Sequence, residues 1–261
     1  MKKTGIIGAG NIGCAIARGL VAGGTDPSGI YLSRKKNELL DEHKKAGFRV
    51  TDNVSLVKQS DIIFLSVLPG EAREVIAEVR EELLKGDKLL ISVVSAVRIR
   101  ELREWTGNSL RIVRVMPNTA AEFSASMTCV AGEHEDSVEQ VRELFEPLGQ
   151  TMVIKEELMP AATIMGACGI AFFLRFIRAV SQGGIQIGFH AEEAGRIAAQ
   201  TAMGAAMLMM KTGNHPEMEI DRVTTPKGVT IAGLNEMEHY GLSSAMIKGI
   251  VKSFSGISDL K

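Results

Sequence analysis

Three observations predict an α/β protein in two parts: an N-terminal doubly wound domain and a C-terminal all-helical one. Short runs rich in Ile, Val and Leu alternate with amphipathic stretches up to about residue 152. A glycine-rich turn joins the first apolar run to the first amphipathic stretch. From about residue 156 the chain turns to long Ala-, Gly- and Met-rich stretches of helical spacing. Strand–helix alternation implies an open, buried, parallel sheet wound by right-handed crossovers.

Taken in order, TGIIGAG, GIYLSR, DIIFLSV, KLLISVV, RIVRVMP and MTCVAG read as strands, each short and bounded by turn residues. TMVIK is a last short strand. CAIARGLVAG, KNELLDEHKKAG, VSLVKQS, EAREVIAEVREELLKG and DSVEQVRELFEPLG have helical spacing. Beyond them, MPAATIMGACGIAFFLRFIRAVSQGGIQIG, AEEAGRIAAQTAMGAAMLMMKTG and TPKGVTIAGLNEMEHYGLSSAMIKGIVKSFSGISDL carry long helical periods and no convincing strand. The expected division is residues 1–155 and 156–261. The apolar stretch 161–174 stops at Arg175, too short to span a bilayer, and is expected as a buried helix. Met203, Met207, Met209 and Met210 are expected in the core or at a subunit interface.

Composition narrows the function. With 30 Lys plus Arg against 31 Asp plus Glu, the net charge is −1, which gives no reason to expect a nucleic-acid or membrane surface. A 45% hydrophobic chain of 261 residues buries a large core. Cys14, Cys129 and Cys168 are far apart and odd in number, which argues against a disulfide framework. The start MKKTGIIG enters a strand without a signal-peptide pattern, so a cytoplasmic protein is expected. The five histidines are scattered, with no metal-ligand spacing.

The glycine-rich turn carries the first chemistry. Gly8, Gly10 and Gly13 form G-x-G-x-x-G between a strand and a helix. Gly8 permits the tight turn, Gly10 lets the backbone approach a pyrophosphate, and Gly13 lets helix and strand pack closely. The free N–H groups of the helix start then face the anion. This is the fingerprint of a Rossmann-type dinucleotide site. The second strand ends at Ser33, Arg34 and Lys35, where an NAD-preferring site usually carries Asp or Glu. A hydroxyl and two cations attract a 2′-phosphate, so NADPH is the expected cofactor, with NADH the alternative.

Two further segments point to a substrate. In RVMPNTA (114–120), Pro117 stiffens the turn and Asn118 can bond its own backbone or the cofactor. In RVTTPKGVTIAGLNEME (222–238), a hydroxyl-rich, Gly-containing turn precedes a helix, and such a turn exposes N–H groups suited to a carboxylate. Thr230 either caps that helix or contacts a substrate nitrogen. The stretch IMGACGIAFFLRFIR offers Arg175 and Arg178 but no lysine. Arginine hardly titrates, which argues against alcohol–ketone chemistry. Reducing a C=N bond asks less, because a protonated imine is already electrophilic.

Five segments, in order along nearly the whole chain, resemble the pyrroline-5-carboxylate reductase family. They are GIIGAGNIGCAIARGL, DIIFLSVLP, RVMPNTAA, GACGIAFF and, most specifically, TTPKGVTIAGLNEMEHYG. The resemblance implies NAD(P)H-dependent reduction of a cyclic imine to proline, in a homodimer of interleaved C-terminal helices sometimes assembled into decamers. It implies that Gly8, Ala9, Gly10, Asn11, Ile12, Gly13, Ser33, Arg34, Lys35, Asn53, Ser66, Val67, Leu68, Pro69, Val93, Val94 and Ser95 line the cofactor. Asn118, Thr225, Lys227, Gly228, Val229 and Thr230 would hold the substrate, with Thr230 beside the imine nitrogen as the catalytic residue. Departures are Lys227 and Val229 for Gly and a small residue, Leu68 for the lysine of V-K-P, and Ala120 and Ile170 for prolines. They leave open a related cyclic imine, or a non-catalytic NADP(H)-binding regulator on the same scaffold.

Overall fold

The structure is a computed structural model that describes residues 2–257. It separates into two compact units, residues 2–168 with 253–257, and Gly169–Lys252. This division falls at Cys168/Gly169, whereas the texture of the sequence changes at 155/156.

The first unit is built on one eight-stranded sheet. Its strands are β1 (Thr4–Ile7), β2 (Ile30–Ser33), β3 (Arg49–Val50), β4 (Ile62–Leu65), β5 (Leu89–Ser92), β6 (Arg111–Met116), β7 (Ser126–Gly132) and β8 (Gly149–Val153). Their order is β3-β2-β1-β4-β5-β6-β7-β8, so the chain starts near the middle and winds outward both ways. β1, β2, β4 and β5 are buried along their whole length, which is why they read as unbroken apolar runs. The helices are α1 (Asn11–Ala22), α2 (Asp41–Lys45), α3 (Asn53–Gln59), α4 (Pro69–Leu83), α5 (Ile99–Thr106) and α6 (Glu135–Phe145). Two apolar clusters, one around Ile6, Leu32 and Phe64 and one around Ile7, Ile63 and Leu90, follow the alternation of side chains across the sheet.

Four features differ from expectation, two of them being β3 and, in the second unit, the helix Pro216–Val223, which the sequence pattern does not show. β6 and β7 pair antiparallel, not parallel. Their link holds only a 3-10 turn, Thr119–Phe123, and a parallel return needs a crossover of a dozen residues or more. The helix α5, within RIRELREWTG, has only eight residues, too few for its period to stand out in the sequence.

The second part of the chain is helical: α7 (Met159–Ala162), a π-helical stretch at Thr163–Cys168, then α8 (Gly169–Gln186), α9 (Ala191–Thr212), α10 (Pro216–Val223), α11 (Val229–His239) and α12 (Leu242–Ser255). α8 and α9 pack closely through small residues: a Cβ on Gly184 would lie 3.0 Å from that of Ala194. The expectation that 161–174 is buried fails. Thr163 and Ile164 are buried, but Phe173 and Leu174 are 65% and 59% exposed. Glu156–Gln186 is long and apolar enough, by length and composition only, to cross a membrane, and its most apolar window is only 17% buried. Met203, Met207, Met209 and Met210 are exposed as well, so none belongs to a core of the single chain. α8 is apolar around most of its circumference, and α9 covers one side of it.

Candidate functional site

The glycine turn after β1 and the turns after β2, β4, β5 and β6 border one cleft of about 540 Å³ in the first unit. This is the carboxyl edge of the sheet, where the strand order switches around β1. Each motif glycine has a separate steric reason. Gly8 has φ +86°, and a Cβ there would meet the Ser66 carbonyl oxygen at 2.7 Å. On Gly13 it would meet Ser66 Oγ at 2.8 Å and the Gly8 carbonyl oxygen at 2.9 Å, so α1 lies hard against the strand ends. On Gly10 it would stand clear of everything except the Gly8 oxygen, 3.9 Å away. Gly10 lines the cleft and N-caps α1, which has no capping side chain and no acidic residue in its first turn. The first N–H groups of a helix lack intrahelical acceptors. That is the arrangement a pyrophosphate requires.

Of the residues expected at the cofactor, Gly8, Gly10, Asn11, Ile12, Arg34, Lys35, Asn53, Ser66, Val67, Leu68, Pro69, Val93 and Ser95 line the cleft. Ala9, Gly13, Ser33 and Val94 do not. Ala9 and Val94 are buried in the apolar clusters, and Gly13 is buried beneath the turn. Ser33 is buried and donates to Asn53 Oδ1 at 2.7 Å, while Asn53 Nδ2 donates to Glu78 at 2.7 Å. Ser66 pins β1 to β4: its N–H donates to the Ile7 carbonyl at 2.9 Å, and its hydroxyl lies 3.0 and 2.9 Å from the Ile7 and Gly8 oxygens.

Sequence reasoning missed Ile7, Glu71, Val75 and Thr119, which also line the cleft. Glu71 matters most, because it pairs with Lys35 at 2.5 Å and its hydrogen bond holds the Lys35 ammonium pKa above the usual value. The signal was present: Pro69 opens a helix at the strand's carboxyl end, so an acid in that first turn borders the cleft. Arg34 is exposed, and its N–H is anchored by Asn37 Oδ1 at 3.0 Å. Cys14, beside the turn, is buried and hydrogen-bonds the Ala9 carbonyl; burial pushes its thiol pKa up, away from thiolate reactivity.

Asn118 lies outside the cleft lining. It is buried, accepts from the Ala120 N–H at 3.0 Å, and donates from Nδ2 to the Gly166 carbonyl at 3.3 Å. Its side chain ties the end of β6 to the π-helical stretch, which leaves one amide hydrogen for any ligand.

The remaining expected residues form the turn before α11 in the second unit. The Gly228 N–H donates to the Thr225 carbonyl at 2.9 Å, closing a turn over Pro226 and Lys227. Lys227 has φ +59°, in the left-handed region that favours glycine. A Cβ on Gly228 would lie 2.5 Å from Thr225 Oγ1. Gly228 N-caps α11 without a side-chain hydrogen bond, and the first turn holds no acid. Thr230 is exposed and Val229 is 91% exposed. An uncapped helix start with a hydroxyl at its second position can accept a carboxylate on its N–H groups and donate a hydrogen bond beside it.

Comparison with known proteins bears on both parts. Residues 156–260 match the family model described as pyrroline-5-carboxylate reductase dimerisation, and residues 3–96 match one described as NADP oxidoreductase, coenzyme F420-dependent. Pyrroline-5-carboxylate reductase 2 of Dictyostelium discoideum is 43% identical over 97% of this chain and 91% of its own length. Pyrroline-5-carboxylate reductase 1 of the same organism is 44% identical over 95% of this chain, which spans only 48% of that longer protein. A crystal structure of Plasmodium falciparum pyrroline carboxylate reductase with NADP bound superposes with a TM-score of 0.90 at 24% identity, covering 99% of this chain and 98% of that one. That likeness is one of fold.

Proposed function

Since the chain belongs to the pyrroline-5-carboxylate reductase family, we propose that it reduces 1-pyrroline-5-carboxylate to L-proline with NADPH, the last step of proline biosynthesis. The observation that carries the reading is that one chain holds both a bare-glycine dinucleotide turn after β1 and, in its second unit, an uncapped, acid-free helix start at α11.

The residues of the cleft fit the cofactor. Gly10 and the first N–H groups of α1 would hold its pyrophosphate. Arg34 and Lys35 attract a 2′-phosphate, with Asn53 and Ser33 bracing the loop. When bound, the cofactor supplies a hydride equivalent. The chain's own contribution is orientation: the free N–H groups of Val229 and Thr230 at the start of α11 seat the substrate carboxylate, while the Gly228 N–H closes the turn on the Thr225 carbonyl. The Thr230 hydroxyl hydrogen-bonds at the imine nitrogen, favouring the polarised C=N bond, and the proton that accompanies the hydride comes from the imine's own protonation or from water. Lys227 adds a cation beside the carboxylate. Asn118 acts through position, by fixing the turn that carries Thr119 into the cleft.

We also read residues 156–261 as the helical substrate-binding and dimerisation domain, with residues 1–155 as the cofactor domain of a cytoplasmic homodimer. The exposed apolar faces of α8 and α9 support a second copy as their cover. A bilayer is the poorer occupant for Glu156–Gln186, because Arg175 and Arg178 fall within the stretch.

The deciding experiment is NADPH oxidation at 340 nm with synthetic pyrroline-5-carboxylate, repeated with NADH. Fast turnover with NADPH, absent without the imine, is the expected result. Binding of NADPH without turnover would replace this reading with a regulator on the same scaffold.

A further inference from the structure

We propose that Arg114 and Glu156 are positioning residues that clasp both ends of the turn between Val94 and Ile99, and so hold Val93 and Ser95 at the cofactor cleft. The proposal rests on the reading of that cleft as an NADPH site.

Arg114 stands on β6, where its neighbours are apolar, and is only 3% exposed. Its Nη1 donates to Glu156 Oε1 at 3.0 Å, and its Nη2 lies 3.5 Å from the Val94 carbonyl oxygen. The same Glu156 oxygen accepts the N–H of Ile99, the first residue of α5, at 2.7 Å. Two side chains joined to each other therefore hold the entry and the exit of one short turn. Inside that turn Ala96 has φ +58°, a left-handed conformation that a residue with a Cβ adopts at a cost. Such strain persists where the surroundings over-determine the backbone. Ser95 and the preceding Val93 line the cleft.

Stability alone is a weak reason for the pair. Burying the Arg114 charge costs several kcal/mol, its partner Glu156 being still 28% exposed, and an apolar replacement of similar volume often does as well. Arg114 Nε is itself buried without a partner. The arrangement uses a rigid, forked guanidinium to reach a carboxylate and a backbone carbonyl at once, which an apolar side chain cannot do.

The test compares the unmodified full chain with Glu156→Ala, Glu156→Gln, Arg114→Lys and Arg114→Lys/Glu156→Ala. Three quantities are read: the NADPH Kd by fluorescence titration, amide hydrogen exchange of residues 95–99, and Tm. A misplaced turn of this kind is expected to raise the NADPH Kd about tenfold in Glu156→Ala and Arg114→Lys, with faster exchange in residues 95–99. Glu156→Gln keeps an acceptor for the Ile99 N–H and is expected to regain most of the affinity. The double variant should fall short of the product of the single effects, since both side chains act on one turn. KM for NADPH should rise with Kd, while KM for the imine stays near that of the unmodified protein.

An unchanged Kd in folded Glu156→Ala and Arg114→Lys, with only a lower Tm, would leave the pair a structural role and overturn the proposal. If Glu156→Ala does not fold, Arg114→Lys decides by the same reading. An unmodified chain that binds NADPH but reduces no imine sinks the proposed activity alone, because Kd and exchange still test the clasp. An unmodified chain that does not bind NADPH overturns the clasp as well.

Discussion

Thr230 and Glu71 show what a single side chain is expected to decide. Thr230 is exposed on the first turn of α11. Thr230→Ala is therefore expected to leave Tm unchanged while lowering kcat/KM about tenfold, by loss of one hydrogen bond realised in the transition state. Steady-state kinetics beside a thermal melt checks it, and unchanged kinetics would remove Thr230 from the mechanism. Glu71 works in the opposite sense. It holds Lys35 in an ion pair at the mouth of the cleft, where Lys35 would otherwise face the 2′-phosphate. Glu71→Gln is expected to widen the ratio of kcat/KM for NADPH over NADH by a few-fold, in line with the small worth of exposed pairs, and more at low salt than at high. Parallel assays with both cofactors check it. At this scale the sequence was legible wherever a residue belongs to a motif with its own geometry, as Gly8, Gly10 and Gly13 do. It was silent on Glu71, Arg114 and Glu156, whose partners lie 36 and 42 residues away along the chain. Pairings of that range come from tertiary packing, which local pattern does not encode. Asn118 shows a third case, a polar residue whose type was visible but whose hydrogen bonds turn inward.

Elements were read from period and punctuation, and they hold where burial is complete. β1, β2, β4 and β5 lie inside the sheet, so every position is apolar or small and no other reading competes. β3 has two residues and α5 eight, too short for a period to establish itself. The contact of α1 with the strand ends makes a clear prediction. Gly13→Ala introduces a Cβ against Ser66 Oγ and the Gly8 carbonyl, and is expected to destabilise the first unit by about 1–3 kcal/mol through overpacking. NADPH binding should fall with it, because the shifted turn is the one that meets the pyrophosphate; urea unfolding and NADPH titration measure the two effects. The start of α3 gives a pH signature. Asp52 N-caps that helix, accepting the Ser55 N–H at 2.8 Å, and this backbone hydrogen bond holds its carboxyl below the ordinary carboxylate pKa. The folded-state pKa is thus the lower one. The stabilisation is fully present above the unfolded-state value and is lost as pH falls through the folded-state value. Asp52→Ala is expected to cost about 0.5–1 kcal/mol at neutral pH, the low end for a cap because the carboxylate faces water. The difference from the unmodified protein should close in acid, as denaturant midpoints at several pH values would reveal.

On the scale of the whole molecule, the two units balance burial in opposite ways. The first covers its sheet with its own helices, whereas α8 and α9 leave Phe173, Leu174, Met207 and Met210 in water. A single helical texture in the sequence does not distinguish a core from an exposed apolar face, and this is why 161–174 is not buried as expected. The chain is expected to run as a dimer in sedimentation, with a Tm that rises with protein concentration. Met207→Glu should lower the apparent mass and remove that concentration dependence; a monomeric, concentration-independent unmodified protein would refute the homodimer. The sheet also carries a consequence for how the molecule is made. All eight strands are complete by Val153, and the first of them to be synthesised lies between its partners, not at an edge. A nascent chain therefore has its whole nucleotide-binding sheet available before α8 and α9 leave the ribosome, since domains form as units while synthesis proceeds. Acquisition of the cofactor cleft is then a first-order event, timed by translation. In the proposed dimer, covering the apolar helices would be a second-order event, timed by encounter, so that two newly made chains would meet as half-finished molecules whose cofactor sheets are already in place.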